Sequence, residues 1–410
     1  MQSAPIRGEH ITGPLRGLKV IERAEGITGP YCAKLLADLG AEVIKVEQPG
    51  VGDPRRRMGP FFHDDPSPDS GLLFNYLNVN KLGITLDLSS SLGHEWFLRL
   101  IKDADLFVFG GDYDEIIGQG LEFDGLTKPN PLLVATYITP FGLTGPYHDR
   151  RGGELVLFHM SALGYLTPGQ KGTSKELPPL KAGGHQAQMV AGLSAASATL
   201  HGLFARDMME CAQKVDVSEL ESIASFQFMD MGRWVYSGDP GHRGERDFGQ
   251  RIRCKDGEFN FGGGQERMWQ AWIEVMGNPE WAQSPEFQDR ITRSAHMNEI
   301  KAHIETWAAN HTKEEIYRMG QARRVPVFPE QSIAEVVNSA QIESRGFLKD
   351  LPLASGGSVR GPSSPYQFKD TPWIVRHPAP RLGQHNREIL CSRLGLSESD
   401  LASAFEAGII

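Results

Sequence analysis

Short, almost wholly apolar runs separated by turns and by helically periodic stretches dominate the first third of the chain. Leu18–Glu22, Glu42–Glu47, Ile84–Leu88, Asp105–Phe109 and Leu132–Thr136 each read as a buried strand. Between them, Tyr31–Leu39 places Leu35, Leu36 and Leu39 on one helical face and stops at Gly40, and Leu92–Lys102 does the same with Trp96, Leu98, Leu100 and Ile101. Apolar strands alternating with helices predict an α/β fold with a parallel sheet. From Met189 to Ala205 small and apolar residues predominate, broken by Ser194, Ser197, Thr199 and His201, which predicts a buried helix rather than a membrane span.

The pattern changes beyond Arg206. Residues 211–250 hold few aliphatic side chains, and Arg233–Gly249 is rich in Gly, Arg and Asp, so 211–250 reads as a linker. Cys254–Phe261 predicts a turn entering a strand, followed by helices at Arg267–Met276, His296–Asn310 and Lys313–Met319. The expected organisation is a large domain over 1–210 and 331–410 and a smaller α+β domain over 251–330. Gly356–Pro362 reads as a hairpin turn, and the chain from Arg381 as a basic loop with two short helices.

Composition narrows the function classes. The 410 residues are 40% hydrophobic and 23% charged, ordinary for a globular protein, and the net charge of -9 argues against nucleic acid or an anionic membrane as partner. The N-terminal residues lack the apolar core of a signal peptide. Cys32, Cys211, Cys254 and Cys391 are isolated, with no zinc spacing and no signature of a catalytic cysteine, which fits a reducing cytoplasm and no metal site.

Several landmarks occur in a fixed order: Gly29-Pro30-Tyr31 running through Glu42-Val43-Ile44-Lys45-Val46-Glu47, then Gly52-Asp53-Pro54-Arg55, Asn80-Lys81-Leu82-Gly83, Phe141-Gly142-Leu143-Thr144-Gly145-Pro146-Tyr147, and Pro380-Arg381-Leu382-Gly383. Together they resemble the family III CoA-transferases over nearly the whole chain. The resemblance implies a large Rossmann-like domain, an inserted smaller domain and two interlocked chains. It implies no bound cofactor, with a coenzyme A thioester as substrate. It also implies a ping-pong reaction in which an Asp carboxylate attacks the acyl-CoA thioester and glycine-loop N–H groups hold the oxyanions.

Gln188 stands at the position of that Asp. A neutral amide with a delocalised lone pair is no nucleophile for a thioester. Glu154 is the candidate substitute, with a paired helix-start carboxylate as the alternative reading, and His159 and His185 lie near these two residues in sequence. Gly262, Gly263 and Gly264 form either the oxyanion loop or a plain strand-ending turn. Gln48, Arg55, Lys81 and Gly110 fall where the resemblance places CoA contacts, with Arg56 and Arg57 beside them. The acidic run Asp112–Glu115 is unfavourable for phosphates. Gly153 replaces the His of the family's racemase branch, which argues against racemase activity.

The expected role is therefore the Asp-lacking subunit of a heteromeric transferase. Its partner would be an Asp-bearing paralogous subunit, succinyl-CoA the donor, and (R)-2-benzylsuccinate, malate or a related acid the acceptor. A homodimer using a displaced carboxylate and a CoA-thioester scaffold remain as alternatives.

Overall fold

The structure is a computed structural model that describes residues 13–167, 178–241, 250–262 and 265–410. Its centre is a six-stranded sheet of β1 (Lys19–Ala24), β2 (Glu42–Glu47), β3 (Lys81–Thr85), β4 (Leu106–Gly110), β5 (Val134–Thr139) and β6 (Gln213–Ser218). The order is β3-β2-β1-β4-β5-β6, and every pairing is parallel, with Lys19 opposite Glu42 and Val20 opposite Leu106. This is the Rossmann order, in which the chain reverses direction of travel between β1 and β4 and leaves a crevice at their carboxyl ends.

Helices cover both faces. The helices of this part of the chain are α1 (Thr28–Asp38), α2 (Leu72–Asn78), α3 (Ser91–Lys102), α4 (Tyr113–Gly118), α5 (Phe123–Thr127), α6 (Glu154–Met160), α7 (Leu163–Leu166), α8 (Gln186–Met209), α9 (Glu219–Ala224) and α10 (Phe228–Ser237), the last of which has no buried residue. One core joins Ile21, Ile44, Phe107 and Tyr137 to Trp96, Phe97 and Leu100 of α3. The other joins Val20, Val43, Val108 and Ile138 to Cys32 and Leu36 of α1 and Ala195 of α8. Alternate residues of each strand thus feed opposite cores, as the strand period of two requires.

Several elements depart from the sequence reading. The first helix begins three residues earlier, at Thr28, because Gly29 and Pro30 are tolerated in a first turn whose N–H groups need no helical partner. The third strand begins at Lys81, three residues before the expected Ile84. The stretch 211–250, read as a linker, carries β6, α9 and α10. β6 is an edge strand with polar residues on one face, so it lacks the continuous apolar run that marked the others.

Contacts divide the chain into two units, residues 1–164, 181–232 and 346–410 in one and 165–180 and 233–345 in the other. In the second, an antiparallel sheet of β7 (Gln250–Cys254), β8 (Gly257–Phe261) and β9 (Val327–Pro329) packs with α11 (Glu266–Val275), α12 (Arg290–Ala295), α13 (Met297–Ala308) and α14 (Lys313–Ala322). Its core holds Phe259, Phe261, Trp269, Trp272, Ile300 and Ile304. Two short helices, α15 (Ile333–Val337) and α16 (Ala340–Ser344), follow. The first unit then closes with the hairpin β10 (Leu348–Pro352) and β11 (Ser358–Pro362), α17 (Asn386–Leu394) and α18 (Glu398–Glu406). No helix among the described residues is long and apolar enough to cross a membrane.

Candidate active site

The crevice at the ends of β1 and β4 is closed by glycine. A Cβ on Gly110 would lie 2.9 Å from the Gly29 Cα, and one on Gly29 would lie 3.0 Å from the Gly110 Cα. The last residue of β4 therefore touches the first turn of α1 backbone to backbone. Gly110, expected at a CoA contact, is buried and spent on this approach.

Beneath α1 lies a buried ion network. Lys45 reaches Glu22 at 3.2 Å, Asp53 at 3.0 Å and the Ala24 carbonyl at 2.7 Å. Burial works against its charge, but Glu22, Asp53 and Glu47 outweigh that and raise its pKa. Lys81, expected to meet phosphates, belongs to the same network. Its ammonium donates to the Pro30 carbonyl at 2.9 Å and Asn78 Oδ1 at 2.9 Å and lies 2.8 Å from Glu22 Oε2. Three short contacts satisfy its three donors in a fully buried position, which leaves none for a ligand. Burial pulls its pKa down to about 8 against the attraction of Glu22.

The arginine run divides three ways. Arg56 is buried, bidentate on Glu47 at 2.8 and 2.7 Å and stacked 3.9 Å from the Phe74 ring. Arg57 donates to the Val51 carbonyl. Arg55 stays half-buried; its backbone N–H is held by Asp53 Oδ1 at 2.9 Å, and its charge faces His185. The network thus anchors the loop that presents Arg55. Gln48, after β2, is half-buried and hydrogen-bonds Asp87.

The N-terminus of α8 holds the chemistry-bearing residues. Gln188 is in its first turn, where the aligned peptide dipoles favour negative charge. The charge is supplied from another helix. Glu154, first residue of α6, accepts from the Ala187 N–H at 3.2 Å with Oε1 and from the Gln188 N–H at 3.0 Å with Oε2; Lys181 stands 3.7 Å away. Both oxygens of Glu154 therefore cap α8. The Gln188 amide is half-buried and has no hydrogen bond among the described residues.

His185 precedes the helix without capping it. Burial and then the Arg55 charge lower its pKa, which keeps it neutral, and its Nδ1 is enclosed without a partner. His159 lies at the far end of α6, where its ring fills the space beside Gly164. Asp112 precedes α4 and pairs with Arg151 at 3.2 Å, so the acidic run serves a helix start.

Sequence reasoning missed Glu219, the first residue of α9, which is only 7% exposed. Burial pushes its carboxyl up to about 7, with Glu154 and Asp112 adding repulsion and the Thr28 hydroxyl opposing them. Its only sequence signal is an acid directly after Ser218, the residue that ends β6 and caps α9. Cys32 is fully buried, and burial pushes its thiol up to about 12, so it is no nucleophile. In the second unit the Gly262 N–H donates to the Pro326 carbonyl at 3.2 Å, extending the β8–β9 ladder, and so is not free for an oxyanion. Gly263 and Gly264 lie outside the described residues.

The family model for CoA-transferase family III matches residues 15–386. The succinyl-CoA:(R)-benzylsuccinate CoA-transferase subunit BbsE of Thauera aromatica is 32% identical, over 89% of this chain and 91% of its own length. The succinyl-CoA–L-malate CoA-transferase beta subunit of Chloroflexus aurantiacus is 28% identical, over 96% and 97%. The crystal structure of a CAIB/BAIF family protein from Brucella suis superposes with a TM-score of 0.81 at 26% identity, covering 93% of this chain and 100% of that one.

Proposed function

The chain belongs to CoA-transferase family III, and within that family we propose that it is the Asp-lacking subunit of a heteromeric enzyme. That enzyme moves CoA from an acyl-CoA such as succinyl-CoA to a carboxylic acid, with (R)-2-benzylsuccinate as the leading acceptor. The observation that carries this reading is the start of α8: Gln188 is a neutral amide, and the nearby carboxylate, Glu154, has both oxygens committed to N–H groups.

In the partner, a carboxylate oxygen attacks the thioester carbonyl carbon and the C–S bond breaks. A mixed anhydride and the CoA thiolate result. The thiolate attacks the enzyme-side carbonyl of the anhydride and expels the donor acid, leaving an enzyme thioester. The acceptor carboxylate attacks that thioester and forms a second anhydride, from which the thiolate carries CoA to the acceptor and frees the enzyme carboxylate. No step of this sequence is open to Gln188.

Two of the similar proteins are named as subunits, which supports a partnered enzyme. The displaced-nucleophile alternative is weakened, because attack by Glu154 would uncap a 24-residue helix. The test is co-expression with an Asp-bearing paralogue and assay of succinyl-CoA with benzylsuccinate. Transfer by the mixed complex alone supports the proposal. Transfer by the isolated chain refutes it, and tight acyl-CoA binding without a partner and without turnover would favour the scaffold.

A further inference from the structure

Most charged groups around the start of α8 are committed to a partner, and one is not. Lys81 and Arg56 are satisfied in the network beneath α1. Lys181 donates to the carbonyls of Ala182 and Gly184 at 2.6 Å each and lies 3.7 Å from Glu154. Glu154 gives both oxygens to the N–H groups of α8. The half-buried Arg55 guanidinium makes no hydrogen bond and no ion pair among the described residues. The carboxylate whose charge reaches it, Asp53, is fully buried and holds Lys45 at 3.0 Å. Burial outweighs that attraction and lowers the Arg55 pKa, as expected of a cation short of counter-charge.

Two neutral donors accompany this cation. His185 lies within reach of the Arg55 charge and is kept neutral. Its Nδ1 is enclosed without a partner and its Nε2 makes no hydrogen bond among the described residues, so Nε2 is the nitrogen left to carry the proton and meet a ligand. Gln188 follows three residues later, in the first turn of α8, and its half-buried amide is likewise unpaired among the described residues. A Cβ on Gly153, Gly183 or Gly184 would meet nothing within 4 Å, so the backbone leading into α6 and α8 leaves room.

We propose that Arg55, His185 and Gln188 form a binding site for the carboxylate of a free organic acid. The guanidinium fork matches the two oxygens of one carboxylate, and the imidazole and amide N–H groups supply further donors. One unanswered positive charge suits one negative charge. A CoA phosphate carries more, and Glu154, whose charge also reaches His185, repels a polyanion more than a monoanion. The first N–H groups of α8 take no part, because they already serve Glu154. With no nucleophile at Gln188, an acid bound here is held and not consumed. The inference rests on the reading of this chain as the Asp-lacking subunit and extends it, since the position without a nucleophile keeps an acid-binding role.

The experiment titrates succinate and benzylsuccinate into the isolated full chain by calorimetry, with inorganic phosphate and coenzyme A as competitors. At least one of the two acids should saturate a single site per chain. Arg55→Met keeps the backbone N–H that Asp53 holds and should weaken that binding about tenfold or more. Arg57→Met removes the same charge from the same loop and should leave it within about twofold. His185→Phe, expected to weaken binding severalfold, is the second arm should Arg55→Met fail to fold by circular dichroism. Binding of neither acid, undiminished binding in Arg55→Met or His185→Phe, an equal loss in Arg57→Met, or displacement of the acid by phosphate or coenzyme A at equal concentration overturns the proposal. No CoA thioester is present, so the titration reads this site alone, while the transfer assay of the mixed complex reads the subunit role.

Discussion

Replacing Glu219 by Gln should stabilise the protein by an amount that grows with pH. The carboxyl is buried, and burial first, then the charges of Glu154 and Asp112, raise its pKa from 4.5 to about 7. A raised carboxyl pKa means that the native state holds the proton more tightly than the unfolded chain does. Its favourable contribution is complete below about pH 4.5 and is lost as pH rises through about 7. The shift of roughly 2.5 units corresponds to about 3 kcal/mol at 1.36 kcal/mol per unit, an upper value because the pocket can relax around the charge. Gln keeps the size and the hydrogen-bonding capacity toward Thr28 but never ionises. The assay is thermal unfolding of both proteins from pH 5 to pH 8.5. The Tm difference should be small near pH 5, widen in favour of Glu219→Gln up to about pH 7.5, and then level off. A constant difference across the range, or one that favours the wild type more as pH rises, would refute the reasoning.

Three further outcomes follow from the site. Lys81→Met should lower stability by about 1–3 kcal/mol, measured by urea unfolding, because it leaves the buried Glu22 Oε2 without a partner while Lys45 keeps the other oxygen; a surface phosphate contact would instead lose acyl-CoA affinity at unchanged stability. Glu154→Ala should cost about 1–2 kcal/mol by removing a charged helix cap, and Glu154→Gln should recover part of that, again read by urea unfolding. Gln188→Asp should leave the isolated chain inactive in the succinyl-CoA assay, because it sets a second carboxylate beside Glu154 and adds no other group to the site; restored turnover would show that the amide alone silences the chain.

Five strands of the central sheet were legible because a parallel strand covered on both faces must be apolar throughout. β6 was not, since its polar edge-strand pattern matches that of a linker. Gln188 was also legible, because replacing a carboxylate by an amide is a change of chemistry visible in the residue itself. The role of Glu154 was hidden by separation: the N–H groups it caps lie 33 and 34 residues away in sequence.

The sequence by itself determined the α/β class, the CoA-transferase family III resemblance and the missing nucleophile, since periodicity, motif order and functional groups are local properties. Only the tertiary structure decided what each polar group is spent on. Lys81 and Arg55 are both cations beside a glycine turn, yet one lies with its donors satisfied beneath α1 and the other half-buried near α8. Glu154 and Glu219 are both carboxylates at helix starts, yet one caps a neighbouring helix and the other is held near neutrality by burial. Burial and pairing set the charge, reach and free valence of a side chain, and both come from residues far away along the chain.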